Sequence, residues 1–212
     1  TDIFGYRFVD PDTGATEILP FDLEGGPSAD GDSRDGMIAL TYVRRNRVLL
    51  KDASSNDLRA QWADVSQPYG VLIEPTGSVL VASHDAGTVI RLFPNDPDTR
   101  TVVATGLVGP VGLAWATDGL SVYVAESGAG RISLITLAAD TRKTVAGDLA
   151  QPETIALLLD GRVVVAEVGA GQISAIDPDT GNKTVLATSL ALGGLLSRAP
   201  APVGMPTGIA AG

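Results

Sequence analysis

The sequence predicts an all-β protein, a β-propeller of four-stranded antiparallel blades. Three stretches repeat one pattern: a proline opens a strand, a glycine turn follows, and the next strand ends in Val-Ala. The members of each series lie 42 residues apart: Pro68, Pro110 and Pro152, and then Gly77, Gly119 and Gly161. Repeats of roughly 40 to 45 residues that each hold several short strands are typical of propeller blades.

The composition excludes several classes of protein. A hydrophobic content of 44% with only 19% charged residues excludes a disordered chain, and no apolar run is long enough to predict a membrane span. The net charge of −10 argues against nucleic acid as a partner. With no Cys and one His, a metal site would depend on oxygen ligands, which favours Ca²⁺ or Mg²⁺ over Zn²⁺. The same features slightly favour an exported protein, periplasmic or extracellular, and otherwise leave the compartment open.

The whole chain, 1–212, is interpreted as a single propeller domain with four successive blade repeats. Their approximate bounds are 21–66, 67–107, 108–149 and 150–190. The first repeat has diverged, and its first strand is unusually polar. It aligns without a gap at the same 42-residue step, which makes Thr41 the counterpart of Ser83.

The two ends of the chain are predicted to share one incomplete blade. Residues 1–20 form two strands around the turn Asp10-Pro-Asp-Thr-Gly14, whose letters recur at 177–181 between the last two strands of a clear repeat. After an insert at 191–204, residues 205–212 restart a first strand. This gives about five detectable blades with one inner strand missing. Two alternatives stay open: the chain is part of a six- or seven-bladed ring, or a partner adds the missing strand.

Several short motifs resemble the NHL and SMP-30/gluconolactonase-like group of β-propellers. They are the Pro-x-Gly triplets at 68–70, 110–112 and 206–208, the stretch Thr117-Asp-Gly119, and Gly128-Ala-Gly-Arg-Ile132. The resemblance covers most of the chain and implies the fold. It leaves the activity open, because the group includes lactonases, esterases, lyases and binding modules.

The enzymes of this group imply a calcium ligand at Asp30. The segment that ends in Ala29-Asp30-Gly31 resembles the family's Pro-Asp-Gly, whose Asp binds calcium, with Ala29 in place of Pro. The Asn of the family's Pro-Asn-Gly is replaced here by Val111, Tyr69 or Thr207. Asp30, Asp32 and Asp35 do not have the alternating spacing of a complete calcium loop.

The turns at one end of the blades are predicted to meet around a channel mouth and to form a ligand site there. The expected ligand-binding residues are Tyr69, His84, Asp85, Glu126, Glu153 and Glu167. His84, the single imidazole, is the candidate general base. The competing interpretation is that these polar side chains cap turns and satisfy backbone donors.

The predicted function is a non-catalytic propeller module that binds a small ligand or a protein through its channel-mouth face. The alternative is a calcium-dependent hydrolase of the SMP-30 type, acting on a lactone or ester, so whether the chain is an enzyme is left open. One basic cluster is present, Arg44, Arg45 and Arg47. It is compatible with binding of an anionic ligand or partner, or with a role limited to balancing the negative charge of the surface.

Overall fold

The computed structural model describes residues 5–9, 16–20, 29–139 and 141–190, the first two ranges by their backbone. The described residues are all-β, with four antiparallel four-stranded sheets arranged as the blades of a propeller, which confirms the predicted fold class. The helices among them are three 3₁₀ turns of three residues. No helix in the described ranges has the length and apolar character to cross a membrane.

Each blade runs in chain order from an inner strand to an outer one. Blade 1 holds β3 (Asp30–Arg34), β4 (Met37–Tyr42), β5 (Arg47–Asp52) and β6 (Leu58–Trp62). Blade 2 holds β7 (Pro68–Ile73), β8 (Val79–Ser83), β9 (Thr88–Phe93) and β10 (Asp96–Ala104). Blade 3 holds β11 (Pro110–Trp115), β12 (Ser121–Glu126), β13 (Arg131–Thr136) and β14 (Thr141–Ala146). Blade 4 holds β15 (Pro152–Leu157), β16 (Val163–Glu167), β17 (Gln172–Ile176) and β18 (Lys183–Ala187).

The amino-terminal hairpin is present as predicted. Strands β1 (Gly5–Val9) and β2 (Thr16–Pro20) pair antiparallel, with Tyr6 opposite Leu19. The other parts of the shared-blade prediction, the insert 191–204 and the strand at 205–212, lie outside the described residues. The shared blade and the addition of a partner strand therefore stay predictions.

The core lies between blades, because successive residues of a strand point to opposite faces of its sheet. In blade 2, Val71, Val79 and Val81 pack against blade 1, where they meet Val48 and Leu50. Their neighbours in the chain pack against blade 3 on the opposite face, and the residues from blade 2 in that second cluster include Leu72, Leu80, Ala82 and Val89. Strands β7 and β8 are buried at every residue, whereas the outer strand β10 is largely exposed.

The Pro-x-Gly triplet marks the place where inner strands of neighbouring blades come closest. A Cβ built on Gly70 would lie 2.1 Å from the Val111 carbonyl oxygen, and one on Gly112 would lie 2.2 Å from that of Glu153. Only glycine fits such an approach between two backbones. The triplet also carries a β-bulge, since Pro68 pairs with Ser83 and Val71 with Val81.

The register of blade 1 corrects the gapless alignment. In blade 2 the hairpin turn is closed by the pair Ser83 and Thr88, and in blade 1 the matching pair is Tyr42 and Arg47. The counterpart of Ser83 is therefore Tyr42, and the prediction for Thr41 was wrong. Blade 1 is one residue shorter than blade 2 between this turn and the end of the outer strand, because β10 has a register shift between Val102 and Ala104 that β6 lacks at the matching place. An alignment without gaps could not represent this difference.

Candidate functional site

Two sets of turns meet along one edge of the blades, as predicted. One set closes the hairpins between second and third strands, and the other connects each blade to the next. Three hydrogen bonds from the connections to the hairpins join the sets: Val65 N–H to the Asn46 carbonyl (2.9 Å), Leu107 N–H to Gly87 (3.0 Å) and Leu149 N–H to Gly130 (2.9 Å). We call this edge the rim; it comprises hairpins 42–47, 83–88, 126–131 and 167–172 with connections 63–67, 105–109 and 147–151.

The last turn residue of each rim hairpin has a left-handed backbone. Glycine, which has no Cβ, occupies this position in blades 2 to 4, and Asn46 occupies it in blade 1 with φ of 50°. Asparagine tolerates this conformation because its short amide forms local hydrogen bonds, and the Asn46 Oδ1 accepts one from the Gln67 N–H at 3.0 Å. The side chain of Asn46 thus holds the connection that leads to Tyr69.

Glu126 lies inside blade 3 and is fully buried. Its carboxylate accepts two hydrogen bonds from Arg131, at 2.8 and 2.7 Å, one from Ser133 at 2.6 Å and one from the Val108 N–H at 2.8 Å. Glu167 has the matching place in blade 4, with Gln172, Ser174, Lys183 and the Ala150 N–H as donors. Each glutamate therefore fastens its hairpin to the preceding connection.

The pKa values of these two glutamates agree with that structural arrangement. Burial alone would raise the pKa of Glu126, but the bonds from Arg131, Ser133 and Val108 outweigh burial and hold it below its ordinary value. The pKa of Glu167 is lowered in the same way, with Ser174 as the strongest of its donors. Both carboxylates are charged, saturated with hydrogen-bond donors and enclosed, and neither lines the surface depression beside Tyr69.

Tyr69, His84 and Asp85 form a polar and aromatic cluster at the rim of blade 2. The rings of Tyr69 and His84 are 5.3 Å apart between centroids and tilted by 55°. The Asp85 Oδ1 lies 2.8 Å from the His84 Nδ1, so this carboxylate orients the imidazole. The other ring nitrogen, Nε2, faces the connection to blade 3, where a Cβ on Gly109 would lie 3.0 Å away.

Burial and negative charge keep the Tyr69 phenol protonated. Burial raises the pKa of Tyr69, and the charges of Glu153 and Asp85 raise it further. Tyr69 is therefore a hydrogen-bond donor, and Glu153 lies near enough to act on it electrostatically. The residue Glu153 is itself buried.

A surface depression of about 430 Å³ lies beside this cluster. Its lining includes Arg44, Asn46, Ser66, Gln67, Tyr69 and Asp85, and we call it the rim depression. Of the six predicted ligand-binding residues, the structure thus brings Tyr69, His84 and Asp85 together and sets Glu153 close to Tyr69. The sequence predicts no ligand contact for Asn46, Ser66 or Gln67. All three are uncharged, and Gln67, like Gln151, precedes a strand-opening proline, which indicates the repeat rather than a ligand.

The Asp30 carboxylate is surrounded by backbone N–H groups, whereas its motif implies a calcium ion. Its Oδ1 accepts a hydrogen bond from the Gly31 N–H at 2.9 Å, and its Oδ2 accepts one from the Val71 N–H of blade 2 at 3.1 Å. Asp32, two residues along the same strand face, accepts from the Ile73 N–H at 2.7 Å. The two aspartates thus bind the inner strand of blade 1 to that of blade 2.

The described residues do not fit a calcium site around Asp30. Both Asp30 oxygens are engaged by backbone donors, and within residues 29–139 and 141–190 no three acidic or histidine side chains group closely enough to hold a metal ion. The third aspartate of this stretch, Asp35, forms the two-residue hairpin turn with Gly36, both with positive φ. A calcium ligand at Asp30 stays an implication of the resemblance.

The stability of the protein is expected to depend on pH through Asp30. Burial raises the pKa of Asp30 to about 6, although the bonds from Gly31 and Val71 oppose this. Because the Asp30 carboxyl group binds its proton more tightly in the folded protein, protonation stabilises the folded state. This stabilisation is complete below about pH 4 and is lost as the pH rises through about 6. The loss can reach about 3 kcal/mol, because each tenfold difference in proton affinity between the folded and unfolded protein corresponds to about 1.4 kcal/mol.

Chemical denaturation of wild type and Asp30→Asn between pH 4 and 8 measures this effect. We expect the variant to lose much of the decline in unfolding free energy across this range, whatever its absolute stability. Asp98→Asn, an exposed site on β10, is the matched control and should keep the wild-type slope. If the unfolding free energies of Asp30→Asn and wild type changed with pH in parallel, the pH dependence would not come from Asp30.

The blades and the rim define the class of protein as a β-propeller whose connecting turns form a polar face. The sequence profile of the SMP-30/gluconolactonase/LRE-like region matches residues 9–194. The chain therefore belongs to the SMP-30/gluconolactonase/LRE-like family, as the motifs had indicated. No curated protein sequence matches the chain.

Solved structures with a similar fold include enzymes and a complex between proteins. Virginiamycin B lyase from Staphylococcus aureus, with selenomethionine, is 18% identical with a TM-score of 0.66, and the match covers 97% of this chain and 67% of the lyase. A streptogramin B lyase is 17% identical with a TM-score of 0.64, over 82% of this chain and 60% of that one. A chain of a nidogen/laminin complex is 16% identical with a TM-score of 0.59, and the match covers 70% of this chain and 60% of that one. At these identities the likeness concerns the fold, and the matches span 60 to 67% of these neighbours' lengths.

Proposed function

We propose that this protein is a binding module whose ligand is a small polar molecule held in the rim depression. The observation that carries the proposal is the cluster of Tyr69, His84 and Asp85 beside a concavity of about 430 Å³. A concave site with a buried aromatic side chain and a few fixed polar groups is the usual form of a small-molecule site.

Binding is favoured over catalysis by the position of His84, which is not among the residues that line the rim depression. Its Nδ1 is engaged by Asp85, and its Nε2 faces the backbone at Gly109. The imidazole is thus packed between the Tyr69 ring and the neighbouring connection, where it supports the shape of the site. A general base must lie within hydrogen-bond reach of its substrate, and the lining of the depression includes Tyr69 and Asp85 but not His84.

The second candidate function is a calcium-dependent hydrolase of the SMP-30 type, acting on a lactone or ester. Family membership supports it, and among the neighbours by fold are enzymes named as lyases. The surroundings of Asp30 support it less, because its two oxygens accept backbone hydrogen bonds. We therefore rank binding first.

A ligand-observed NMR screen of small amides, polyols and carboxylic acids against the 212-residue chain tests the proposal. Tyr69→Leu and Asp85→Asn should each weaken the binding of a hit at least tenfold, because the first removes the phenol donor and the second removes the carboxylate charge from the depression. Asp98→Asn should leave it unchanged. Hits that are indifferent to both rim variants would contradict the proposed site.

Two further outcomes of the same screen separate the remaining functions. Turnover of a lactone or ester that requires added Ca²⁺ and stops with chelator would favour the hydrolase. Capture of a protein through the rim, with no small-molecule hit, would favour a protein partner; one neighbour by fold is part of a complex between two proteins. Either result would replace the small-ligand proposal.

A further inference from the structure

The rim hairpin of blade 1 carries three arginines in four residues, although the chain as a whole is acidic. Among the described residues, Arg44, Arg45 and Arg47 have no carboxylate within ion-pair distance. Four other arginines in the described part of the chain each pair with an acid: Arg59, Arg91, Arg131 and Arg162. No acid of the described ranges therefore neutralises the positive charge at this hairpin.

Comparison with blade 3 shows why Arg47 lacks the acid that its counterpart has. Arg47 and Arg131 occupy the same place in their hairpins, each opposite the last residue of the second strand. In blade 3 that last residue is Glu126, which binds Arg131. In blade 1 it is Tyr42, and the Arg47 guanidinium carbon lies 5.6 Å from the centre of its ring. The cation keeps its position, but the carboxylate has been replaced by an aromatic ring.

The Arg47 guanidinium is also poorly satisfied. Its Nε and Nη2 atoms are buried and have no hydrogen-bond partner among the residues that the structure describes. The Arg47 side chain is partly buried, so the field of its charge is screened less than that of a fully exposed cation. The uncompensated charge lies on the hairpin whose turn supplies Arg44 and Asn46 to the rim depression.

We propose that the rim depression selects an oxyanion, a carboxylate or a phosphate, that also carries hydrogen-bond donors. Arg44 in the lining supplies a direct cationic contact, and the unneutralised Arg45 and Arg47 add a favourable field. Asp85 on the lining favours a ligand whose other side presents hydroxyl or amino hydrogens. This inference rests on the proposed binding function and specifies the chemistry of its ligand.

Three probes with one carbon skeleton test it: glycerate, glycerol 3-phosphate and uncharged glycerol. Isothermal titration calorimetry on the 212-residue chain, at constant ionic strength set with chloride, should show binding of one or both anions and none of glycerol. The affinity should fall as salt is raised. Glycerate alone would identify a carboxylate site, and glycerol 3-phosphate alone a phosphate site.

Variants connect the binding to this hairpin. Arg44→Met should weaken anion binding at least tenfold, and Arg47→Met about three- to tenfold. Arg162→Met, which removes a partly exposed arginine of blade 4 paired with Asp160, is the control and should bind as wild type does. Far-ultraviolet circular dichroism and the unfolding midpoint verify that each variant is folded; if Arg47→Met is not, Arg45→Met replaces it.

Three results would overturn the inference. They are no binding of either anion, equal binding of glycerol, or an equal loss of affinity in Arg162→Met. An uncharged hit from the NMR screen that depends on Tyr69 and ignores Arg44→Met would also overturn it, while the proposed binding function would stand. Failure of every ligand at the rim would instead remove both proposals.

Discussion

Replacing Glu126 with alanine is expected to lower the free energy of unfolding by about 3–5 kcal/mol, the cost of removing one partner of a buried ion pair. The change leaves the Arg131 guanidinium without its carboxylate and the Ser133 hydroxyl and Val108 N–H without an acceptor. Within the described residues, it also leaves the hairpin of blade 3 held to the connection at 105–109 only by the backbone bonds from Ser127 N–H to Gly109 and from Gly128 N–H to Val108. Urea denaturation at pH 7 measures the change.

Two comparison variants make this result specific. Glu126→Gln keeps the shape and loses the charge, so we expect a smaller cost of about 1–3 kcal/mol. Asp98→Ala removes an exposed acid from β10 and should stay within about 0.5 kcal/mol of wild type. A loss below about 1 kcal/mol in Glu126→Ala would show that the buried network contributes little.

The pH dependence of the Glu126 contribution has the opposite sign to that of Asp30. Because the pKa of Glu126 is lowered in the folded protein, its stabilisation is present above the ordinary glutamate pKa and is lost as pH falls through the folded value. The difference in unfolding free energy between wild type and Glu126→Gln should therefore shrink on acidification below about pH 4.

Replacing Gly112 with alanine is expected to destabilise the protein by about 3 kcal/mol or more, at the upper end of the usual cost of overpacking. The added Cβ would lie 2.2 Å from the Glu153 carbonyl oxygen, and neither backbone can yield without moving an inner strand. The packing of blade 3 on blade 4 would be loosened along the whole contact.

Gly147→Ala is the matched control for this effect, because a Cβ at that position meets nothing within 4 Å and the backbone does not need a positive φ. The control should be neutral or more stable than wild type by up to about 1 kcal/mol, since alanine restricts the unfolded chain. Thermal and urea unfolding of both variants provide the comparison. Equal stabilities would mean that the inner strands separate without cost.

Much of the fold could be predicted because a propeller repeats local rules. Prolines at strand starts, Asp-Gly and Thr-Gly turns, and runs of Val and Ala all recur at one step, and each depends on residues near in sequence. The Asp10–Gly14 turn is an example, because its match at 177–181 predicted both strands of the β1–β2 hairpin. Family membership also depended on such local motifs.

The candidate site was predicted less completely. Glu126 ends the second strand of blade 3 and Asp85 lies just beyond that of blade 2, but the first is saturated with donors inside a sheet and the second is open at the rim. The difference comes from Arg131 and Ser133, whose side chains meet Glu126 only when third and second strands pair. The sequence shows that a residue is acidic, but it does not show which hydrogen-bond donors will surround that carboxylate in the folded protein.

The sequence by itself determined the all-β blades, the family and the end of the blades where polar turns gather. Only the tertiary structure decided the register of blade 1, the burial of Glu126 and Glu167, and the strand contacts of Asp30. It also showed that no acid in the described ranges pairs with Arg47. Strand patterns are set by neighbours along the chain, whereas charge pairing and burial are set by residues that only folding brings together.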